Sequence, residues 1–233
     1  MAVVNNNIKE KVKGISLRFV IIAVVFIISV GMFRFIADEM VLEKENQLDR
    51  LIFSDLAAIT NPGITRLMTA ITFFGSSTFL LPAYIILIII FLFSKHRKLS
   101  LDIAAYGTIS TIILFSLKAI FHRHRPPDPL VHYVNGFSFP SGHAFSSFVF
   151  FGLLIYIIWK MDLSLAIKWT LSVLFFLFAT LVAISRVYLH VHYASDVIAG
   201  FSLCVAWLCI SLWLIRILSK KKKLPGTGHY STT

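Results

Sequence analysis

Long stretches without charge constrain the fold of this chain more than any other feature of its sequence. One of them holds 28 residues between Arg66 and Lys95 and contains no charged side chain. One membrane-crossing helix needs about 20 apolar residues, and lipid offers unpaired backbone groups no hydrogen-bond partner. Runs of this kind therefore predict helices that span a bilayer, because a lipid-exposed loop or sheet edge would leave those groups unsatisfied.

The composition agrees with a membrane protein built from several such helices. Hydrophobic residues make up 58% of the 233 residues and charged residues only 14%, whereas a soluble domain has about 25% charged residues. We predict an all-α, polytopic protein that forms a single domain over residues 1–233. The six predicted spans cover residues 17–37, 77–93, 99–121, 143–159, 168–185 and 195–215.

The basic residues predict the orientation of these spans. The net charge of +11 could suggest nucleic acid as a partner, but the basic residues flank apolar runs, where they set topology. One side of the membrane would hold 14 of the 22 lysines and arginines, so we predict cytoplasmic termini and an outward-facing opposite side. The run Lys220–Lys223 is interpreted as a stop signal and solvated tail instead of a specific lipid site.

Between the first two spans, residues 45–60 have the pattern of an amphipathic helix. Apolar side chains recur there at helical spacing, at Leu48, Leu51, Ile52, Leu56 and Ile59. Such a helix lies at the membrane interface. It could be a structural cap on the bundle or the rim at which a lipid substrate enters, and the two interpretations are compatible.

Three polar clusters interrupt the apolar sequence, and the first ends the third span. Lys118 and Arg125 are seven positions apart, so both would face the same way on one helix. Pro126 would then end that helix. Alone, either residue would be interpreted as an interfacial or loop charge.

The second cluster, Pro140–His143, stands directly before the fourth span. A helix that begins there has unpaired N–H groups and the positive end of its dipole, which together bind anions. Gly142 would allow a phosphate to approach the backbone closely. Without its context, this sequence would be an ordinary turn and helix cap.

The third cluster lies between the fifth and sixth spans. His192 and Asp196 are four positions apart, so the carboxylate can reach the imidazole if the segment is helical. His190 is six positions from Asp196 and cannot share its face. Arg186 precedes both histidines.

Topology predicts that the three clusters meet. The 41 residues between His143 and Ser185 are enough for two spans, so the chain crosses the membrane and returns. Three cations, a helix N-terminus and two or more histidines would then surround one place with a single acid, Asp196. Ionisable residues within spans are rare and indicate function, and this set suits the charge of a phosphoryl group.

These residues resemble a known family. Lys118-x6-Arg125-Pro126, then Pro140-Ser141-Gly142-His143, then Ser185-Arg186-x5-His192-x3-Asp196 are similar to the three-part signature of the type-2 phosphatidic acid phosphatase superfamily, which includes the vanadium haloperoxidases. Every signature position is matched, in order, over residues 118–196. Within the superfamily, the layout resembles bacterial phosphatidylglycerophosphatase B-like and undecaprenyl-diphosphatase-like membrane enzymes.

The resemblance implies a lipid phosphatase without cofactor or metal, and a role for each residue. His192 would be the nucleophile, Asp196 would hold its tautomer, and His143 would protonate the leaving oxygen and then activate water. The phosphoryl oxygens would be bound by Lys118, Arg125, Arg186 and the N–H groups of Ser141 and Gly142. His122, His124 and His132 match no signature position.

Other functions remain open at the level of sequence. A phosphotransferase would use the same residues, and a non-catalytic lipid-binding or transport bundle would need the cations but not His192 with Asp196. A haloperoxidase is less favoured because the chain consists mostly of spans. The substrate implied is a phosphorylated lipid such as phosphatidic acid, phosphatidylglycerophosphate or undecaprenyl diphosphate, taken from the bilayer at the outer leaflet.

Overall fold

The computed structural model describes residues 2–41, 47–131 and 135–221, which form helices and no strands. The α-helices are α1 (Ala2–Phe35), α2 (Gln47–Ile59), α3 (Pro62–Phe73), α4 (Ser77–Leu92), α5 (Arg97–Phe121), α6 (Gly142–Lys160), α7 (Leu165–Tyr188) and α8 (Ala194–Lys221). A short π-helix, Ile36–Val41, extends α1. Glu45, His132 and the last two lysines of the Lys220–Lys223 run lie outside the described residues.

In the described ranges, six helical segments are long and apolar enough to cross a membrane. They are Phe19–Glu39, Pro62–Leu92, Arg97–Phe121, Gly142–Lys160, Leu165–Tyr188 and Ala194–Leu214. Large apolar side chains such as Leu81 and Leu101 are exposed on them, as a lipid-facing surface requires. The predicted all-α, six-span architecture is confirmed.

The second span is the one that differs from its prediction. The uncharged stretch forms two helices, α3 and α4, because residues 74–76 turn between them. The Asn61 side chain caps α3 by accepting from the Ile64 N–H at 3.0 Å, and the Ser76 side chain caps α4. A Cβ on Gly75 would lie 2.6 Å from Cγ1 of Val182, so this break packs against α7 and requires glycine.

Helix α6 lies at the centre of the bundle. It contacts α5, α7 and α8, while α1 packs on α8, α3 on α7 and α4 on α5. Its buried side chains include Phe145, Val149 and Leu153. These contacts hold the N-terminus of α6 in a fixed place relative to the neighbouring helices.

Four helix termini meet at one end of the bundle, which we call the site end. They are the C-termini of α5 and α7 and the N-termini of α6 and α8. Helices α6 and α8 approach closely there, since a Cβ on Gly200 would lie 3.0 Å from the carbonyl oxygen of Ser141. The termini predicted to carry the polar clusters are therefore adjacent.

Helix α2 lies across the site end and contacts α7 and α8. Its Leu51 is 63% exposed, whereas Asp49 is 3% exposed. Phe53 packs on the ring of His190, with 4.8 Å between centroids. The helix predicted over residues 45–60 thus exists, but one of its acids faces the protein interior.

Candidate active site

Lys118 and Arg125 both reach the site, but not from one helix. His122 adopts a left-handed backbone conformation, with φ of 47°, and ends α5 three residues before Arg125. The prediction that the helix runs through both residues is therefore wrong. Arg125 lies in the extended segment that follows, ahead of Pro126.

The two side chains converge on the same short segment. Nζ of Lys118 donates to the carbonyl oxygen of Phe137 at 2.7 Å, and Nε of Arg125 donates to that of Gly136 at 3.0 Å. Nη1 of Arg125 also donates to the carbonyl oxygen of Val191 at 2.7 Å. Lys118 thus links α5 to the loop before α6, and Arg125 links that loop to the segment before α8.

His192 lies between Arg125 and Asp196. Its Nδ1 is 3.3 Å from Oδ2 of Asp196, and its Nε2 is 3.1 Å from Nη1 of Arg125. An arginine in a protein only donates hydrogen bonds, so Nε2 accepts and the proton of neutral His192 sits on Nδ1, facing Asp196. His192 is therefore paired with Asp196 as their spacing predicts, although α8 begins at Ala194 and His192 lies just before it.

Burial and charge keep His192 neutral. The side chain is 1% exposed, and burial lowers its pKa well below the ordinary value of 6.5. Arg125, Arg186 and Lys118 lower the pKa further, because each repels the added proton. Nε2 therefore carries its lone pair at neutral pH.

Arg186, 4% exposed, brings a third cation to the site from the last turn of α7. Its Nη1 donates to Oγ1 of Thr72 at 2.7 Å. Its Nε is buried and has no acceptor among the described residues. A buried N–H of this kind is costly unless a ligand or water satisfies it, so Arg186 is suited to bind an anion.

Helix α6 begins at Gly142, as the anion-site prediction requires. The hydroxyl of Ser141 caps it by accepting from the Ala144 N–H at 3.5 Å. Among the described residues, the N–H groups of Gly142 and His143 have no protein acceptor. A Cβ on Gly142 would lie 3.7 Å from Cε of Lys118, so these amides stand beside that cation.

The Ser141 amide differs from its prediction. Its N–H donates to the carbonyl oxygen of Asp196 at 3.0 Å, so the prediction that it binds a phosphoryl oxygen is wrong. The reason is the close approach of α8 at Gly200, which places that carbonyl against the turn. Ser141 can still donate its hydroxyl proton.

His143 completes the set. Its ring packs at the break between α3 and α4, with Cδ2 3.2 Å from a Cβ built on Gly75. Its electrostatic environment includes Arg186, His192, Arg125 and Lys118. The structure therefore brings together all eight residues that the sequence singled out.

Two charged residues of this site could not be predicted from the sequence motifs. Nη1 of Arg123 donates to Oδ1 of Asp196 at 2.6 Å, and its Nη2 donates to Oδ2 of Asp49 at 3.0 Å. Arg123 falls at an unassigned position between Lys118 and Arg125, and Asp49 lies in the predicted amphipathic helix, on which acids usually face solvent. Only the burial of Asp49 reveals its role.

Three further histidines of the described residues, His122, His124 and His190, have other partners. Nε2 of His190 is buried without a hydrogen-bond partner among the described residues, and its ring faces Phe53. The ring of His122 packs edge-on against Phe137, and the carbonyl of His124 accepts from Ser138. The described residues gather no group of three or more His, Cys, Asp or Glu side chains suited to a metal ion.

Comparisons with known proteins agree with this geometry. A family model described as the PAP2 superfamily matches residues 99–220. Phosphatidylglycerophosphatase B of Bacillus subtilis (strain 168) is 35% identical over 158 residues, which are 66% of this chain and 77% of that protein.

Two crystal structures are similar to most of this chain. One is a transmembrane PAP2-type phosphatidylglycerolphosphate phosphatase from Bacillus subtilis, with TM-score 0.73 and 30% identity over 85% of this chain and 97% of that one. The other is Aquifex aeolicus LpxE, with TM-score 0.55 and 26% identity over 74% of this chain and 98% of that one. This chain, a multi-pass membrane protein, therefore belongs to the PAP2 superfamily.

Proposed function

We propose that this membrane lipid phosphatase cleaves a phosphomonoester or diphosphate at the outer leaflet through a phosphohistidine on His192. The observation that carries the proposal is the state of His192. Its Nδ1 proton faces Asp196 at 3.3 Å, and its Nε2 lone pair lies beside the guanidinium of Arg125 at 3.1 Å. A neutral imidazole oriented by a carboxylate is an activated nucleophile.

The positive groups around Nε2 fit the charge of the transferring group. Arg186 keeps a buried Nε without an acceptor among the described residues, and Lys118 and Arg125 lie near the same histidine. The N–H groups of Gly142 and His143, which have no acceptor among the described residues, and the hydroxyl of Ser141 add neutral donors. Such donors stabilise the charge on the equatorial oxygens of a phosphoryl transition state.

The reaction divides into two displacements. Nε2 of His192 attacks phosphorus as the bond to the leaving oxygen breaks, and His143 gives that oxygen a proton. Water then attacks the phosphohistidine and gives a proton to His143, which releases inorganic phosphate and restores both histidines. Asp196 stabilises the positive charge that develops on the ring of His192. Each step uses side chains of this site and needs no metal.

The surroundings favour a lipid as the phosphate donor. The site end adjoins helices whose exposed side chains are apolar, so an acyl or prenyl tail can remain in lipid while its headgroup reaches His192. The relatives include a phosphatidylglycerophosphatase. We therefore place phosphatidylglycerophosphate first among the substrates, beside phosphatidic acid and undecaprenyl diphosphate. The distribution of basic residues supports the outer leaflet.

A substrate panel tests the proposal. The purified protein in detergent is given each of the three lipids, with and without a chelator, and released phosphate is measured. We expect release from at least one lipid, no loss with the chelator, and none from His192→Ala. Folded protein that releases phosphate from none of them, or a His192→Ala variant with full activity, contradicts the proposal. A phosphorylated lipid or sugar as product would identify a phosphotransferase instead.

A further inference from the structure

Arg123 joins two buried carboxylates at the site end. Its Nη1 donates to Oδ1 of Asp196 at 2.6 Å and to Oγ of Ser195 at 2.8 Å. Its Nη2 donates to Oδ2 of Asp49 at 3.0 Å. The guanidinium also lies 4.0 Å from the ring centroid of Tyr193, a distance at which the aromatic face attracts a cation.

Asp49 closes this network from helix α2. Its Oδ1 accepts from the N–H of Ser195 at 3.0 Å, and its Oδ2 accepts from the hydroxyl of Ser195 at 2.6 Å. Asp49 is 3% exposed, while Ser195 and Asp196 are fully buried. Hydrogen bonds between ionised groups in such a place are strong, and each partner depends on the others.

Arg123 differs from Arg186, a cation proposed to bind phosphate, in the partners of its guanidinium group. Both terminal nitrogens of Arg123 are used by protein acceptors, two of them carboxylates. Arg186, in contrast, keeps a buried Nε with no acceptor among the described residues. Arg123 is thus bound within the protein and does not serve as a ligand for the substrate.

The two carboxylate oxygens of Asp196 have different hydrogen-bond partners. Oδ1 faces Arg123, whereas Oδ2 faces Nδ1 of His192 at 3.3 Å and the N–H of Tyr193 at 3.0 Å. Rotation of the carboxylate about its terminal bond would break the bond to Arg123. Arg123 therefore fixes the plane in which Oδ2 meets the proton of His192.

We infer that Arg123, anchored by Asp49, is a positioning residue that holds Asp196 so that His192 keeps its nucleophilic tautomer. The inference rests on the proposed function of His192. It also gives helix α2 a part in catalysis, because α2 supplies the acid that orients the guanidinium. Lysine cannot replace arginine there, since one ammonium cannot present two nitrogens in a fixed plane.

The kinetic test compares variants of the network. Arg123→Lys keeps the positive charge at this position, and Arg123→Met removes it. Asp49→Asn weakens the hydrogen bond that anchors Arg123. Asp55 is exposed on the same helix, so Asp55→Asn is the matched control. We expect kcat to fall by about 100-fold in Arg123→Met and less in Arg123→Lys, with KM within about twofold. Asp49→Asn should lower kcat, and Asp55→Asn should not.

Two further readouts separate positioning from folding. In Arg123→Ala, guanidinium ion at non-denaturing concentration should restore kcat, whereas sodium chloride at equal ionic strength should not. In protein with ¹⁵N-labelled histidine, the His192 signal, assigned by its loss in His192→Gln, should show Nδ1 protonated in the wild type. It should show mixed tautomers in Arg123→Lys.

The outcomes distinguish the two proposals. Wild-type kcat and an unchanged tautomer in folded Arg123 variants overturn the positioning role, as does a loss confined to KM. If the wild type cleaves no lipid, but the tautomer of His192 still changes in Arg123→Lys, the positioning role is supported and the proposed function is overturned. Should Arg123→Met not fold, the Arg123→Lys and Asp49→Asn results decide.

Discussion

Arg125 donates a hydrogen bond from Nη1 to Nε2 of His192 across 3.1 Å. The bond requires a lone pair on Nε2, so it links a fixed cation to the protonation state of the candidate nucleophile. A phosphoryl group that enters between them can exchange this bond for one from Arg125 to its own oxygen. The same lone pair is then free to attack phosphorus.

The pH dependence of stability tests whether His192 is neutral. Its pKa in the folded protein lies well below 6.5 because the side chain is buried among cations, whereas in the unfolded chain it is ordinary. Its contribution to stability is therefore complete above about pH 6.5 and is lost as the pH falls through the lower folded-state value. Between about pH 7.5 and 5.5, the unfolding temperature should fall further in the wild type than in His192→Gln. Equal falls would contradict a lowered pKa.

The hydroxyl of Thr72 should matter both to stability and to binding. Thr72→Val removes the acceptor for Nη1 of Arg186, a side chain that is 4% exposed. Leaving that donor unpaired should lower the free energy of unfolding by about 1–3 kcal/mol and raise KM. Denaturant unfolding and steady-state kinetics measure the two effects.

Thr69→Val is the matched control for Thr72→Val. Thr69 is exposed on the same helix, and its hydroxyl donates only to the carbonyl of Thr65 one turn earlier. We expect little change in either measurement. If both threonine variants behave alike, Thr72 does not hold Arg186.

Much of this site could be predicted from the sequence, because charged and imidazole side chains beside apolar runs are conspicuous and their spacing places them on one side. The pairing of His192 with Asp196 followed from their separation alone. Thr72 could not be found in this way, since a threonine within an apolar run has many structural uses. Its partner Arg186 lies 114 positions later in the chain.

The two errors in the site have different structural causes. The left-handed conformation of His122 ends α5 early, and a histidine gives no sequence signal for it. The Ser141 amide is occupied because α8 approaches at Gly200, a contact between distant segments. Asp49 was hidden because an acid on an amphipathic helix is usually solvated.

The close approach at Gly200 should be sensitive to a single methyl group. In Gly200→Ala, Cβ would lie 3.0 Å from the Ser141 carbonyl oxygen and 3.3 Å from the Phe145 nitrogen, both backbone atoms. The helices must separate, at a cost of about 1–3 kcal/mol. Because Ser141 bonds to Asp196 across this contact, kcat should also fall.

Gly152→Ala provides the comparison for Gly200→Ala within the same helix pair. A Cβ on Gly152 would meet Leu208 at 3.6 Å, an ordinary contact. Its stability and kcat should stay near those of the wild type. If the Gly200→Ala protein is as stable and active as Gly152→Ala, neither stability nor kcat depends on the close approach of α8 to α6 at Gly200.

Trapping the phosphorylated enzyme tests directly whether His192 is the nucleophile. Protein is mixed with ³²P-labelled lipid substrate, quenched in alkali and digested, and the labelled residue is identified. A phosphohistidine is stable in alkali and lost in acid. We expect label on His192 in the wild type and in His190→Ala, and no label in His192→Ala. Label on His190, or turnover without any labelled histidine, would contradict this expectation.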